Sequence, residues 1–141
     1  MSTFGKAVWS GGLKDGKGAI STKSGALKDY PYGFAARFED GKNGTNPEEL
    51  IGAAHAGCFT MALSGILGQE GLTAETMETQ ADVTLMKQGD GFAITKVHLT
   101  LKAKIPGADE AKFQALAAKA KAGCPVSKVL NAEITMDATL V

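Results

Sequence analysis

Residues 50–67 read LIGAAHAGCFTMALSGIL, and no Asp, Glu, Lys or Arg interrupts them. As a helix this stretch is apolar on nearly every side, and such a helix must be covered on every side. Its length reaches the minimum for a membrane span, about 18 residues. However, His55, Thr60, Ser64 and three glycines lie within it, and no Trp or Tyr marks its ends. A long core helix is therefore expected, with no membrane partner. The chain has 141 residues, which predicts a single domain over residues 1–141. A domain of that size buries about two-thirds of its chain surface and has little material left to wrap such a helix alone. A second copy of the chain is the natural cover, so a homodimer is expected.

The segments on either side predict an α+β fold. The first forty residues read as strands broken by glycine turns: KAVWS, AISTKSG and YGFAARFED alternate in character, and GGLKDGKG is a turn cluster. GKNGTNPEEL is a loop that runs into the apolar helix. Asn46 suits its N-cap, Pro47 its first position, and Glu49 the acid of a capping box. The helix is expected to end near Gly68 or Gly71. Residues 81–105 predict a hairpin about QGDG. Residues 106–123 read as an amphipathic helix stopped by Gly123. A short helix follows with Cys124 near its N-cap and Pro125 at its first position, and AEITMDATLV is a last strand. Strands and helices are partly segregated, which fits α+β better than a doubly wound sheet.

Charge and compartment narrow the function. The 15 basic and 15 acidic residues balance, which argues against nucleic acid as a partner. The opening MSTFGKAVWSGG lacks the apolar core of a signal peptide, so a cytoplasmic location is expected. Disulfides there are rarely structural and are usually catalytic or redox-sensing when they form.

That matters because the chain has two cysteines, Cys58 in HAGCF and Cys124 in KAGCPVS. Cys58 lies mid-helix, where an inert buried thiol is as good a reading as a reactive one. Cys124 at a helix start meets unpaired N–H groups that favour thiolate. Spacing alone does not show whether the two meet.

Arg37 is the only arginine among 15 basic residues. A guanidinium offers a fork that ammonium lacks. With Glu49 occupied in the cap, Glu48 is free to pair with it, and such a pair could hold a cation over a thiolate. Glu48 and Cys58 are ten positions apart, about 15 Å of helical rise. Either the helix bends, with Gly52 the candidate, or one site draws Glu48 and Cys58 from different subunits.

His55 lies one turn before Cys58 and could face it as a Cys–His pair, though no third orienting residue or nucleophile elbow accompanies them. His98 falls on a surface strand and has no assigned role. The cysteines and histidines lack metal-ligand spacing, and no phosphate loop is present, so no metal or cofactor is expected.

GTNPEELIGAAHAGCFTMALS and AKAGCPVSKVLNAEI resemble the two signature segments of the osmotically inducible protein C family. PYGFAARFEDGKNG and GFAITKVHLTLKAKIPG resemble it too, in the same order, and the likeness covers nearly the whole chain. It is closer to the osmotically inducible branch than to the organic hydroperoxide resistance branch. The resemblance implies antiparallel sheets around a long buried central helix, in an intertwined homodimer. It implies a metal-free, flavin-free peroxidase that reduces organic hydroperoxides to alcohols, in defence against oxidative and osmotic stress. Cys58 would be the peroxidatic cysteine and Cys124 the resolving one, with Arg37 and Glu48 as polar partners of Cys58. The reductant would be a dithiol, a lipoylated protein or another small dithiol. The alternative is a binding module that holds a fatty acyl or other apolar ligand and uses the cysteines only to sense redox state.

Overall fold

The apolar stretch forms one continuous helix. In the computed structural model, which describes residues 1–39 and 43–141, the elements in chain order are β1 (Gly5–Ser10), β2 (Lys17–Thr22), β3 (Tyr30–Tyr32), α1 (Phe34–Phe38), α2 (Pro47–Gln69), β4 (Thr76–Gln88), β5 (Gly91–Lys104), α3 (Glu110–Gly123), α4 (Pro125–Val129) and β6 (Glu133–Leu140). Two compact units result, residues 1–50 and 51–141.

In the first unit β1, β2 and β3 form an antiparallel sheet in that order. Gly18 of β2 has no side chain because the Trp9 and Tyr32 rings close over it. Those rings lie 5.5 Å apart between centroids. The strand expected over residues 32–40 does not form. Its first residue ends β3 and residues 34–38 make helix α1, so Arg37 is helical; residue 40 lies outside the described residues. Gly33 enters α1 in extended conformation, Ala36 is buried, and the Asn46 side-chain amide donates to the Ala36 carbonyl at 3.0 Å. These contacts override a local pattern that alternates like a strand. The loop expected from residue 41 begins outside the described residues and reaches Pro47.

The second unit holds one well-defined core. His55, Phe59, Leu63 and Leu67 repeat every four residues on one side of α2 and are all buried. Val97, Leu99, Leu101 and Ala103 alternate along β5 and are fully buried. Phe113, Leu116, Ala117 and Ala120 make the apolar stripe of α3. Each large apolar side chain so buried contributes about 1.5–3 kcal/mol. The β4–β5 hairpin turns at Gly89, whose φ of +61° suits glycine. Expected as antiparallel, this sheet is in fact mixed: β6 runs parallel to β5, and α3 and α4 form the crossover that a parallel neighbour requires.

Of the two alternatives for α2, a break at Gly52 is not seen: the helix runs on through it from Pro47 to Gln69. Gly52 is buried there, and a Cβ on it would stand 3.0 Å from the Ala81 carbonyl oxygen and 3.5 Å from Val83 Cγ2. Glycine at that position lets α2 approach β4 closely. As expected for so small a domain, one chain does not cover the helix on all sides. Ala53, Ala54, Gly57, Met61, Ser64, Gly65 and Gly68 are exposed, Met61 to 78%.

Candidate active site

Asn46 caps α2 as expected, its Oδ1 accepting from the Glu49 N–H at 2.8 Å. The Glu49 carboxylate does not complete a capping box with Asn46; it accepts from the Thr45 hydroxyl at 2.8 Å. Glu48 is thereby left for Arg37. Nε and Nη2 of Arg37 both donate to Glu48 Oε1, at 3.1 and 2.7 Å. Glu48 is buried and the guanidinium is partly exposed, so the pair presents its cationic end outward. The Arg37 guanidinium also stands over the Phe38 ring, 5.6 Å from its centroid. A cavity of about 190 Å³ opens beside it, lined by Trp9, Leu13, Tyr32, Phe34, Phe38 and Pro47. An apolar hollow with one guanidinium in its wall suits a molecule with a hydrocarbon body and a polar head.

The two thiols meet. Cys58 and Cys124 interact with each other through their side chains, although 66 positions separate them in sequence. Cys124 is fully buried and ends α3 while it caps α4. Its sulfur accepts from the Ser127 N–H at 3.3 Å and lies 3.3 Å from Ser127 Oγ. Burial alone would push the Cys124 thiol up, but the bonds from the Ser127 hydroxyl and amide, with those from Cys58 and Val126, outweigh it and hold it below the ordinary thiol value. The thiolate preference expected at a helix start is therefore present. Its source is direct hydrogen bonding, because α4 spans five residues and its dipole is small. Cys58 is half-buried, and burial pushes its thiol up. The Val126 amide opposes that shift and the neighbouring Cys124 adds to it. Within one chain, then, Cys58 holds its proton more tightly than Cys124 does.

His55 is not paired with Cys58. Its ring is fully buried, with Nε2 2.7 Å from Ser127 Oγ, and burial lowers its pKa. No local pattern signals this contact, which joins residues 72 positions apart. His98 lies on the outer face of β5, bonded to Thr135 Oγ1 at 2.6 Å and to Asp137 at 3.1 Å. Among the described residues no group of three His, Cys, Asp or Glu side chains could hold a metal ion.

The sequence matches the family profile described as OsmC-like protein over residues 39–139. It is 58% identical to Peroxiredoxin OsmC of Escherichia coli over 133 residues, 94% of this chain and 92% of that one. It is 33% identical to the organic hydroperoxide resistance protein OhrA of Bacillus subtilis, over 97% of this chain and 94% of that one. Among solved structures, an organic hydroperoxide resistance protein OsmC from Legionella pneumophila superposes with a TM-score of 0.75 at 27% identity, covering 99% of this chain and 98% of that one.

Proposed function

The chain belongs to the OsmC-like protein family, a thiol-dependent peroxidase of organic hydroperoxides, and on that premise we propose that Cys58 attacks the peroxide and Cys124 resolves the product. The observation that carries this assignment is the contact between the two sulfurs. Thiolate is the nucleophile. The Cys58 sulfur bonds to one peroxide oxygen, the O–O bond breaks, and the alkoxide leaves as alcohol after taking a proton. Cys58 is then a sulfenic acid. The Cys124 thiolate attacks that sulfur, the S–S bond forms, and hydroxide leaves and is protonated to water. A dithiol, free or on a lipoylated protein, exchanges with the disulfide and restores both thiols. The cytoplasm expected from the sequence would supply such reductants.

Burial and the second sulfur keep Cys58 protonated, so a cation brought against it would favour attack. Arg37, held by Glu48, is suited to that role and to stabilising charge on the departing alkoxide. The cavity beside it suits the alkyl group of an organic hydroperoxide. Helix α2 is unbroken between Glu48 and Cys58, which supports sites built from two chains: Arg37 and Glu48 of one subunit with Cys58 of its partner. The exposed small-residue face of α2 around Gly57 and Met61 is the surface a twofold partner would cover.

Steady-state consumption of cumene hydroperoxide with reduced lipoamide tests the reaction, because a redox-sensing binding module stops after one peroxide per cysteine pair. Mixing inactive Cys58→Ser and Arg37→Ala chains tests the shared site. Heterodimers should recover activity through one intact site, and confirmed heterodimers that stay inactive place each site within one chain.

A further inference from the structure

We infer that His55, acting through Ser127, is a positioning residue that holds Cys124 ready for the resolving step. The three groups form a continuous buried line: His55 Nε2 to Ser127 Oγ at 2.7 Å, and Ser127 Oγ to Cys124 Sγ at 3.3 Å. His55 and Cys124 are fully buried and Ser127 nearly so.

The direction of the line follows from the other end of the imidazole. His55 Nδ1 is buried and has no hydrogen-bond partner. A neutral imidazole carries one N–H. Placed on Nδ1, that proton would be an unsatisfied buried donor, an arrangement folded proteins rarely tolerate. Placed on Nε2, it donates to Ser127 Oγ. The tautomer is set by that bond. The Ser127 oxygen then accepts from His55, and its own O–H turns to the remaining neighbour, Cys124 Sγ. Both Ser127 donors, hydroxyl and amide, thus converge on the sulfur. A thiol proton there would compete with the hydroxyl for the same space, whereas a thiolate accepts both bonds.

Burial keeps His55 neutral, so the ring serves as a fixed donor and does not add a cation. The other titratable group touching Cys124 is Cys58 of α2. The remaining contacts are uncharged: α3 offers the Ala120 carbonyl to the Cys124 N–H, and α4 offers the Val126 and Ser127 amides to its sulfur.

The inference rests on the assignment of Cys124 as the resolving cysteine. The more readily Cys124 gives up its proton, the larger the share of thiolate available to form the S–S bond as hydroxide departs from the Cys58 sulfenic acid. The histidine of HAGCF would then act on the second cysteine, reached across the fold, and not on the one three residues along its own helix.

Two readouts test this. First, the thiolate absorbance of Cys124 is titrated in a Cys58→Ser background. Adding Ser127→Ala or His55→Leu should raise the midpoint by about one unit, a tenfold loss of thiolate near neutral pH. Adding His55→Gln, whose amide can still donate to Ser127, should leave it near the parent value. If His55→Leu does not fold by circular dichroism, Ser127→Ala and His55→Gln decide the matter. Parent-like midpoints in Ser127→Ala or folded His55→Leu, or a His55→Gln midpoint as high as that of Ser127→Ala, overturn the inference. Second, with both cysteines present, one equivalent of cumene hydroperoxide is added and the disulfide is followed by acid quench. Ser127→Ala should slow disulfide formation relative to sulfenic acid formation by about tenfold below neutral pH, with the gap closing as pH rises. A raised midpoint with an unslowed disulfide step overturns the inference, because Cys124 then resolves without help from the line; a raised midpoint with no Cys58–Cys124 disulfide in the parent protein instead removes Cys124 from the resolving role.

Discussion

Arg37 grips Glu48 through a single carboxylate oxygen, with Nε and Nη2 both donating to Oε1. That geometry uses the guanidinium fork and cannot be reproduced by an ammonium. Arg37→Lys should therefore keep the charge and still lose most peroxidase activity, by about 10²-fold on the scale of a lost charge-stabilising donor. The check is kcat/KM for cumene hydroperoxide in both proteins. A variant that retains wild-type kcat/KM shows Arg37 to be a surface ion-pair partner and nothing more.

The close approach of α2 to β4 should make Gly52 intolerant of a side chain. A Cβ there meets the Ala81 carbonyl oxygen at 3.0 Å. Gly52→Ala is expected to cost about 1–3 kcal/mol, overpacking outweighing the gain in helix propensity. Urea unfolding measures it. A midpoint equal to or above wild type contradicts the packing argument.

Burial of His55 has a consequence for stability against pH. Its folded pKa lies below the ordinary imidazole value of about 6.5. The unfolded chain therefore binds a proton that the folded chain does not, and the neutral ring contributes stability that is fully present above that value. Stability should fall as pH drops below about 6.5 and through the lowered folded value. His55→Gln should remove this part of the acid slope. Thermal midpoints between pH values on either side of about 6.5 provide the comparison; identical slopes in both proteins refute the assignment.

Met61 is 78% exposed on a face of α2 made of small residues. If that face is covered by a second copy, the interface should exceed the roughly 1,600 Å² of ordinary complexes. Met61→Glu should then give monomers that lose activity along with their partner. Sedimentation of the two proteins at equal concentration separates the cases, and a wild-type monomer removes the two-chain site.

The Arg37–Glu48 pair of the candidate site could be read in the sequence because its members carry chemical oddity. Arg37 is the single arginine of a lysine-rich chain, and Asn46 with Pro47 marks where α2 begins and leaves Glu48 to pair. The local structure around Arg37 was less legible. GFAARFED alternates like a strand, and only the buried Ala36 and the Asn46 amide on its carbonyl turn the segment into a short helix. Likewise β6 shows a strand pattern but nothing that dictates a parallel neighbour, which the α3–α4 crossover decides. The contact between Cys58 and Cys124, and that between His55 and Ser127, arise when the β5 sheet, α2 and α3 close on one core. No local signal encodes such long-range meetings, and His55 reads from spacing alone as a partner for Cys58.

The central claim is that Cys58 and Cys124 form a redox couple driven by organic hydroperoxide. Fully reduced protein treated with one equivalent of cumene hydroperoxide, then alkylated and mapped by mass spectrometry, tests it most directly. The account predicts loss of both thiols for each peroxide consumed, a Cys58–Cys124 disulfide as the product, Cys58→Ser inert towards the peroxide, and Cys124→Ser stopped at a Cys58 sulfenic acid. Peroxide left unconsumed with both thiols still alkylated, or full consumption by Cys58→Ser, would contradict it.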